Sequence, residues 1–232
     1  VSLPISQYLG TYGAADPNAL YVLWIGSNDM SDALLKAVNT YMSGGDPVPV
    51  ISAEVSQTVT DIITALVTLE TLGGKHFLVG NIPDMALTPT VQSFGSAGIS
   101  FLANQASVGF NNALLGALPM FTFPGVDLNI IDSFGLQAAV ANDPAAYGVT
   151  NTTSACYDGQ IDGSASPGTT SPTVCATPGQ YEYFDGEHPG VVMHQLQAAG
   201  LKRLLVPEPG EMALSLAALG LMGFSRMRRP SR

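Results

Sequence analysis

Asp185-Gly186-Glu187-His188-Pro189 sets a carboxylate and an imidazole three residues apart, in a stretch too rich in Gly and Pro to form a helical face. At that spacing Asp185 can accept from one ring nitrogen of His188, leaving the other free to take a proton from a nucleophile. The plainer alternative is a surface loop whose Asp caps the next helix. A second cluster, Gly26-Ser27-Asn28-Asp29, follows seven apolar residues, Ala19 to Ile25. There Asn28 offers an amide N–H as a donor to a developing oxyanion. Gly26 supplies the turn, and Asp29 can fix it by accepting backbone N–H bonds. Alone, this cluster reads equally as an Asx-type turn before a helix. His76, after a helix stop, and His194, inside the last helix, read as structural.

These groups need elements to hold them. Ala19 to Ile25 is too short for a free-standing helix and too apolar for a half-exposed strand, so it is expected to be a strand buried on both faces of a parallel sheet. Its polar sequel then lies at the carboxyl edge, where open α/β sheets bind ligands. Helices are expected over Ser2 to Leu9, over Ser31 to Met42, and from a Ser52 cap to the stop at Gly73-Gly74. Others are expected over Phe101 to Leu118, Gly135 to Ala141 and Val191 to Leu201. Phe77 to Val79 and Val126 to Ile131 read as further strands, the first running into a polar turn at Asn81-Ile82-Pro83-Asp84, and Tyr181-Glu182-Tyr183-Phe184 leads from the cysteine stretch into the Asp185 loop. The alternation predicts a parallel α/β sheet with helices on both faces.

Residues 1 to 205 hold 16 acidic and 4 basic groups, a balance that should repel nucleic acid and anionic lipid. Charged residues make up only 11% of the chain, which suits an exported protein. Cys156 and Cys175 lie in one Gly/Ser/Thr/Pro-rich stretch; a disulfide bracing a surface loop is expected if the compartment is oxidising, and two free thiols otherwise. Two thiols alone make no zinc site, and no metal or other cofactor is expected. Beyond Leu205 the chain changes character. Val206-Pro207-Glu208-Pro209 precedes an uncharged run from Met212 to Phe224, and Arg226, Arg228 and Arg229 follow. At about 1.5 Å per residue that run spans roughly 20 Å, short of the roughly 30 Å of a bilayer core. It reads as a processed membrane-targeting tail, or else as a core helix.

Gly26-Ser27-Asn28-Asp29, Asn81-Ile82-Pro83-Asp84 and Phe184-Asp185-Gly186-Glu187-His188-Pro189, in that order, resemble sequence blocks of the GDSL or SGNH esterases and lipases, in the secreted bacterial branch of phospholipase/lecithinase/hemolysin type. The resemblance covers residues 1 to about 205 and implies a flavodoxin-like three-layer α/β/α fold with about five parallel strands. It also implies metal-free hydrolysis of carboxylic esters through a Ser-His-Asp triad, with His188 as base, Asp185 orienting it and Asn28 donating to the oxyanion. Neither Gly-Asp-Ser nor Gly-x-Ser-x-Gly occurs in the chain. The expectation is therefore a fragment, inactive alone, whose upstream strand and nucleophilic serine are missing; the alternative is a non-catalytic surface relative that binds carbohydrate or matrix. The tail, residues 206 to 232, resembles a PEP-CTERM sorting signal. That implies export to the periplasm or cell surface, transient anchoring and an exosortase-type processing partner.

Overall fold

The computed structural model describes residues 2–121, 123–160 and 171–205. The expected sorting tail, residues 206–232, lies outside them. Three parallel strands, β1 (Leu20–Leu23), β2 (His76–Gly80) and β3 (Asp127–Ile131), form a sheet in sequence order, with Leu20 opposite His76 and His76 opposite Asp127. Parallel neighbours need long crossovers, which helices supply. The chain passes from β1 to β2 through α2 (Ser27–Met42) and α3 (Val48–Thr71). It passes from β2 to β3 through the short α4 (Pro89–Ser93) and then α5 (Ala97–Ala117). α1 (Ser2–Tyr12) precedes the sheet, and α6 (Ser133–Asn142) and α7 (Val191–Leu205) follow it. A separate parallel pair, β4 (Asn151–Ala155) and β5 (Tyr181–Tyr183), stands between α6 and α7. The result is the expected three-layer α/β/α fold, with three parallel strands in the main sheet among the described residues.

Period-2 alternation decides which strand residues enter the core. Leu23, Phe77 and Val79 face the layer of α2, α3 and α5 and join the main apolar cluster with Met30, Leu66, Ala103 and Phe110. On α3 the buried residues Ile51, Val55, Val59, Ile62, Leu66 and Leu69 recur every three or four positions, giving one apolar stripe. The opposite stripe is a hydroxyl ladder: Thr60, Thr64, Thr68 and Thr71 each donate to the carbonyl four residues earlier. By length and composition α3 is apolar enough to cross a membrane, yet it packs between α2 and α5 as a core helix. A smaller cluster of Val140, Val149, Val192 and Met193 joins α6 to α7.

The first strand departs from expectation. Leu20 and Val22 are 42% and 54% exposed, so β1 is not buried on both faces. Only its inner residues are covered: Tyr21, against Tyr8 of α1 and Phe77, and Leu23. Its outer edge pairs with no strand among the described residues. A groove of about 450 Å³ runs along it, from Ile5, Tyr8 and Val22 to Asn28. Helix starts also shift: α5 begins at Ala97 rather than Phe101 and α6 at Ser133 rather than Gly135, and two further shifts have a clear local cause. α2 begins at Ser27, so Ser27, Asn28 and Asp29 form its first turn rather than a loop before it. α3 begins at Val48, because Pro47 and Pro49 suit a first helical turn, and Ser52 is already inside it.

Candidate active site

All three strands of the main sheet run the same way, so the segments leaving β1, β2 and β3 gather at one edge. After β1 comes Gly26, with φ +108°, a conformation that costs an L residue strain; a Cβ there would lie 2.6 Å from the Phe110 ring. Its carbonyl accepts the first helical bond of α2, from Met30. Asn28 and Asp29 are exposed in that first turn, where the Asp29 carboxylate suits the positive end of the helix. Among the described residues neither side chain makes a hydrogen bond. The turn is thus held by Gly26 and the helix itself, and not by backbone bonds to Asp29 as expected.

The segment after β2 is stitched down by side chains. Asn81, 3% exposed, donates to Asp132 at 2.7 Å, and its oxygen accepts from the amides of Ser133 (2.7 Å) and Phe134 (3.1 Å). One buried amide therefore closes β2 and caps α6. Trp24 donates to the Asn81 carbonyl at 3.2 Å, joining the exits of β1 and β2. Asn111 brackets the backbone of Ile82, Ser107 accepts from Met85 N–H, and Asn104 donates to Asp84.

The Asp185–His188 loop follows β5. Asp185, 5% exposed, accepts from His188 Nδ1 at 2.8 Å through Oδ2, while Oδ1 accepts from the amides of Glu187 (2.8 Å) and His188 (2.7 Å). Burial pushes this carboxyl up, but the His188 and Glu187 amides and the imidazole outweigh it and hold it below the ordinary carboxylate range. An ionised carboxylate only accepts, so Nδ1 carries a proton, and in the neutral ring Nε2 is then the nitrogen with the lone pair. The His188 side chain is 60% exposed, and among the described residues Nε2 has no hydrogen-bond partner. The loop reaches the sheet edge through α4: Thr90 N–H donates to the Gly186 carbonyl at 2.9 Å. The approach is close enough that a Cβ on Gly186 would sit 2.3 Å from Thr90 Oγ1 and force that hydroxyl to turn away. Glu187 is pushed above its ordinary range by burial and by Asp185, with His188 opposing.

The structure thus joins Asp185 to His188 and sets Asn28 at the exit of β1, with no hydrogen bond between Asn28 and that pair. His76 stands at the amino end of β2, 3.8 Å from Asp127, and His194 is exposed on α7. No cluster of three or more His, Cys, Asp or Glu able to hold a metal occurs among the described residues. Two neighbours escaped the sequence reading. Glu182 is 2% exposed with an unpartnered Oε1, and burial pushes it up to about 7. Beside it the Tyr183 hydroxyl, raised by burial and then by Glu182, accepts from Gln137 at 2.7 Å. Polar residues alternating with aromatics in Tyr181-Glu182-Tyr183 gave no signal that the glutamate would point inward.

Residues 4–201 match the GDSL-like lipase/acylhydrolase family, a span that holds both the sheet edge and the Asp185–His188 loop. The chain belongs to that family. It is also 27% identical over 209 residues to a GDSL esterase/lipase of Arabidopsis thaliana, an alignment covering 83% of this chain and 52% of the plant protein. The chain therefore spans about half the length of this GDSL relative.

Proposed function

We propose that the chain carries the base and oxyanion side of a carboxylic ester hydrolase. The observation that carries this reading is the 2.8 Å pair of a buried Asp185 and an exposed His188 whose Nε2 faces solvent. In the proposed reaction Nε2 takes the proton of a serine hydroxyl as its oxygen attacks the ester carbonyl. Asp185 stabilises the imidazolium, which then protonates the leaving alkoxide. Asn28 donates its amide to the oxyanion. Water, activated by the same nitrogen, releases the acid from the acyl-serine.

The serine is proposed to lie outside these 232 residues, on a segment that pairs with the open edge of β1. Support comes from the outer edge of β1, which pairs with no strand among the described residues, from its exposed Leu20 and Val22, and from the groove that ends at Asn28. Turnover of p-nitrophenyl esters tests the reading. The present chain should show no burst, and a version extended upstream should turn over. In the extended protein His188→Ala should cost about four to six orders of magnitude if the triad acts as a unit. Asp185→Asn should cost about 10⁴, because it disturbs the tautomer. Asn28→Ala should cost about 10² to 10³. An extended His188→Ala protein with unimpaired turnover would overturn the assignment.

Export and sorting form the second part of the proposal. Residues 206 to 232 are proposed to direct the protein to an exosortase-type enzyme, supported by the Pro-Glu-Pro segment, the uncharged run and the terminal arginines. Deleting them should misplace the protein in its host and leave domain stability unchanged; loss of folding would identify that segment as core.

A further inference from the structure

The loop bearing Asp185 and His188 is backed by a second piece of chain that the reaction itself does not use. Phe184 links the two. Its N–H donates to the His188 carbonyl at 2.8 Å, closing the loop, and its own carbonyl accepts from Tyr157 N–H at 2.6 Å. The rings of Tyr157 and Phe184 lie stacked, 5.5 Å apart and within 3° of parallel. Neighbouring backbone extends the seam, since Cys156 N–H donates to the Tyr183 carbonyl at 3.2 Å.

Tyr157 is itself fixed from behind. Cys156 is bonded to Cys175, the Cys175 amide donates to the Cys156 carbonyl at 2.6 Å, and Tyr157 forms an antiparallel bridge with Val174. Asp158 accepts from both the amide and the hydroxyl of Thr173. Gly159 lies so close to the Tyr157 ring that a Cβ would fall 2.3 Å from it. The ring is thereby held between the ribbon and Phe184.

We propose that Tyr157 is a positioning residue for the Asp185–His188 pair, and that the Cys156–Cys175 ribbon is the splint that lets it act. Asp185 follows Phe184 directly, so a shift of the Phe184 peptide swings the carboxylate that selects the Nδ1–H form of His188. A hydrogen bond to one ring nitrogen fixes the tautomer only while its partner is held in place. The importance of this for catalysis rests on the hydrolase reading; the effect on the His188 tautomer does not.

Long-range ¹H–¹⁵N NMR of the histidine side chains in the full chain tests the proposal, at alkaline pH where the tautomer pattern is read directly. In the unmodified protein His188 should show the Nδ1–H form. Tyr157→Ala should convert it to a mixture of tautomers, as should reduction of the disulfide in the unmutated protein, with His76 and His194 unchanged. Tyr157→Phe should restore the original pattern, because the ring and the backbone bond both remain. Asp185→Asn provides the reference for complete loss. An unaltered His188 pattern in folded Tyr157→Ala overturns the proposal. If that variant fails to fold, an unaltered pattern after reduction of the native protein does the same. Absence of ester turnover in the upstream-extended protein, with the tautomer shift intact, would instead refute the hydrolase reading and leave the splint standing.

Discussion

Glu182→Gln should make the protein less sensitive to alkali. In the folded chain Glu182 is 2% exposed, and burial pushes its carboxyl from 4.5 up to about 7, with Tyr183 and Gln137 acting the other way. The folded state therefore holds this proton more tightly than the unfolded chain does. Below about pH 4.5 both states are protonated and the group has no net effect. Between there and about pH 7 the unfolded chain releases the proton first, so stability falls; above about pH 7 the full penalty applies. At 1.36 kcal/mol per pH unit, and allowing for residual solvent screening, the loss is about 2 to 3 kcal/mol. A glutamine has nothing to ionise there. Urea unfolding at acid, neutral and mildly alkaline pH, followed by the fluorescence of Trp24, measures the difference between the two proteins, and groups common to both cancel. The unmodified protein should lose about 2 to 3 kcal/mol more than the variant between pH 4.5 and 8. Parallel pH profiles for the two would refute the reasoning, showing that water or a rearrangement of the Gln137–Tyr183 pair satisfies the ionised carboxylate.

Asp185 has the opposite sign: its lowered carboxyl contributes stability above the ordinary aspartate range that is lost as pH falls through the folded value, so Asp185→Asn should flatten the acid limb of the same urea profile. Gly26→Ala should cost about 2 kcal/mol or more, from a positive φ and the Phe110 clash, seen as a lower urea midpoint. Asn81→Ala removes the acceptor of two amides and the donor to Asp132, and should cost about 2 to 3 kcal/mol in the same assay. Replacing Cys156 and Cys175 by Ser should cost about 3 kcal/mol through the freed loop, and thiol labelling of the denatured, unreduced parent should find no free thiol.

The long helices and the three strands of the main sheet were legible because their apolar periodicities are strong, as in the stripe from Ile51 to Leu69, whereas the short α4 and the polar β4 carry no such pattern. Boundaries failed where backbone chemistry outweighed the pattern. The αL Gly26 lets α2 start four residues early, and the prolines at 47 and 49 start α3 before Ser52. The exposure of Val22 was hidden because hydrophobicity marks what a strand can bury, whereas its neighbours decide what it does bury. At the site, Asp185 and His188 lie three apart, and their contact is written locally in the chain. Thr90, Tyr157 and Gln137 reach the same region from distant segments, through contacts that no spacing records.

The pairing of Leu20 with His76 and of His76 with Asp127 has a consequence for how the molecule is assembled. Each strand meets its partner only after roughly fifty residues of intervening chain have been brought round, a closure costing on the order of 3.5 kcal/mol before any sheet contact offsets it. Helices such as α3 and α5 can form and dock while those loops are still open. Folding should therefore be slow for a chain of this size, with helical signal rising before the sheet closes. During that interval the apolar strand residues that end in the core remain exposed, and it is then that the chain is most prone to aggregate.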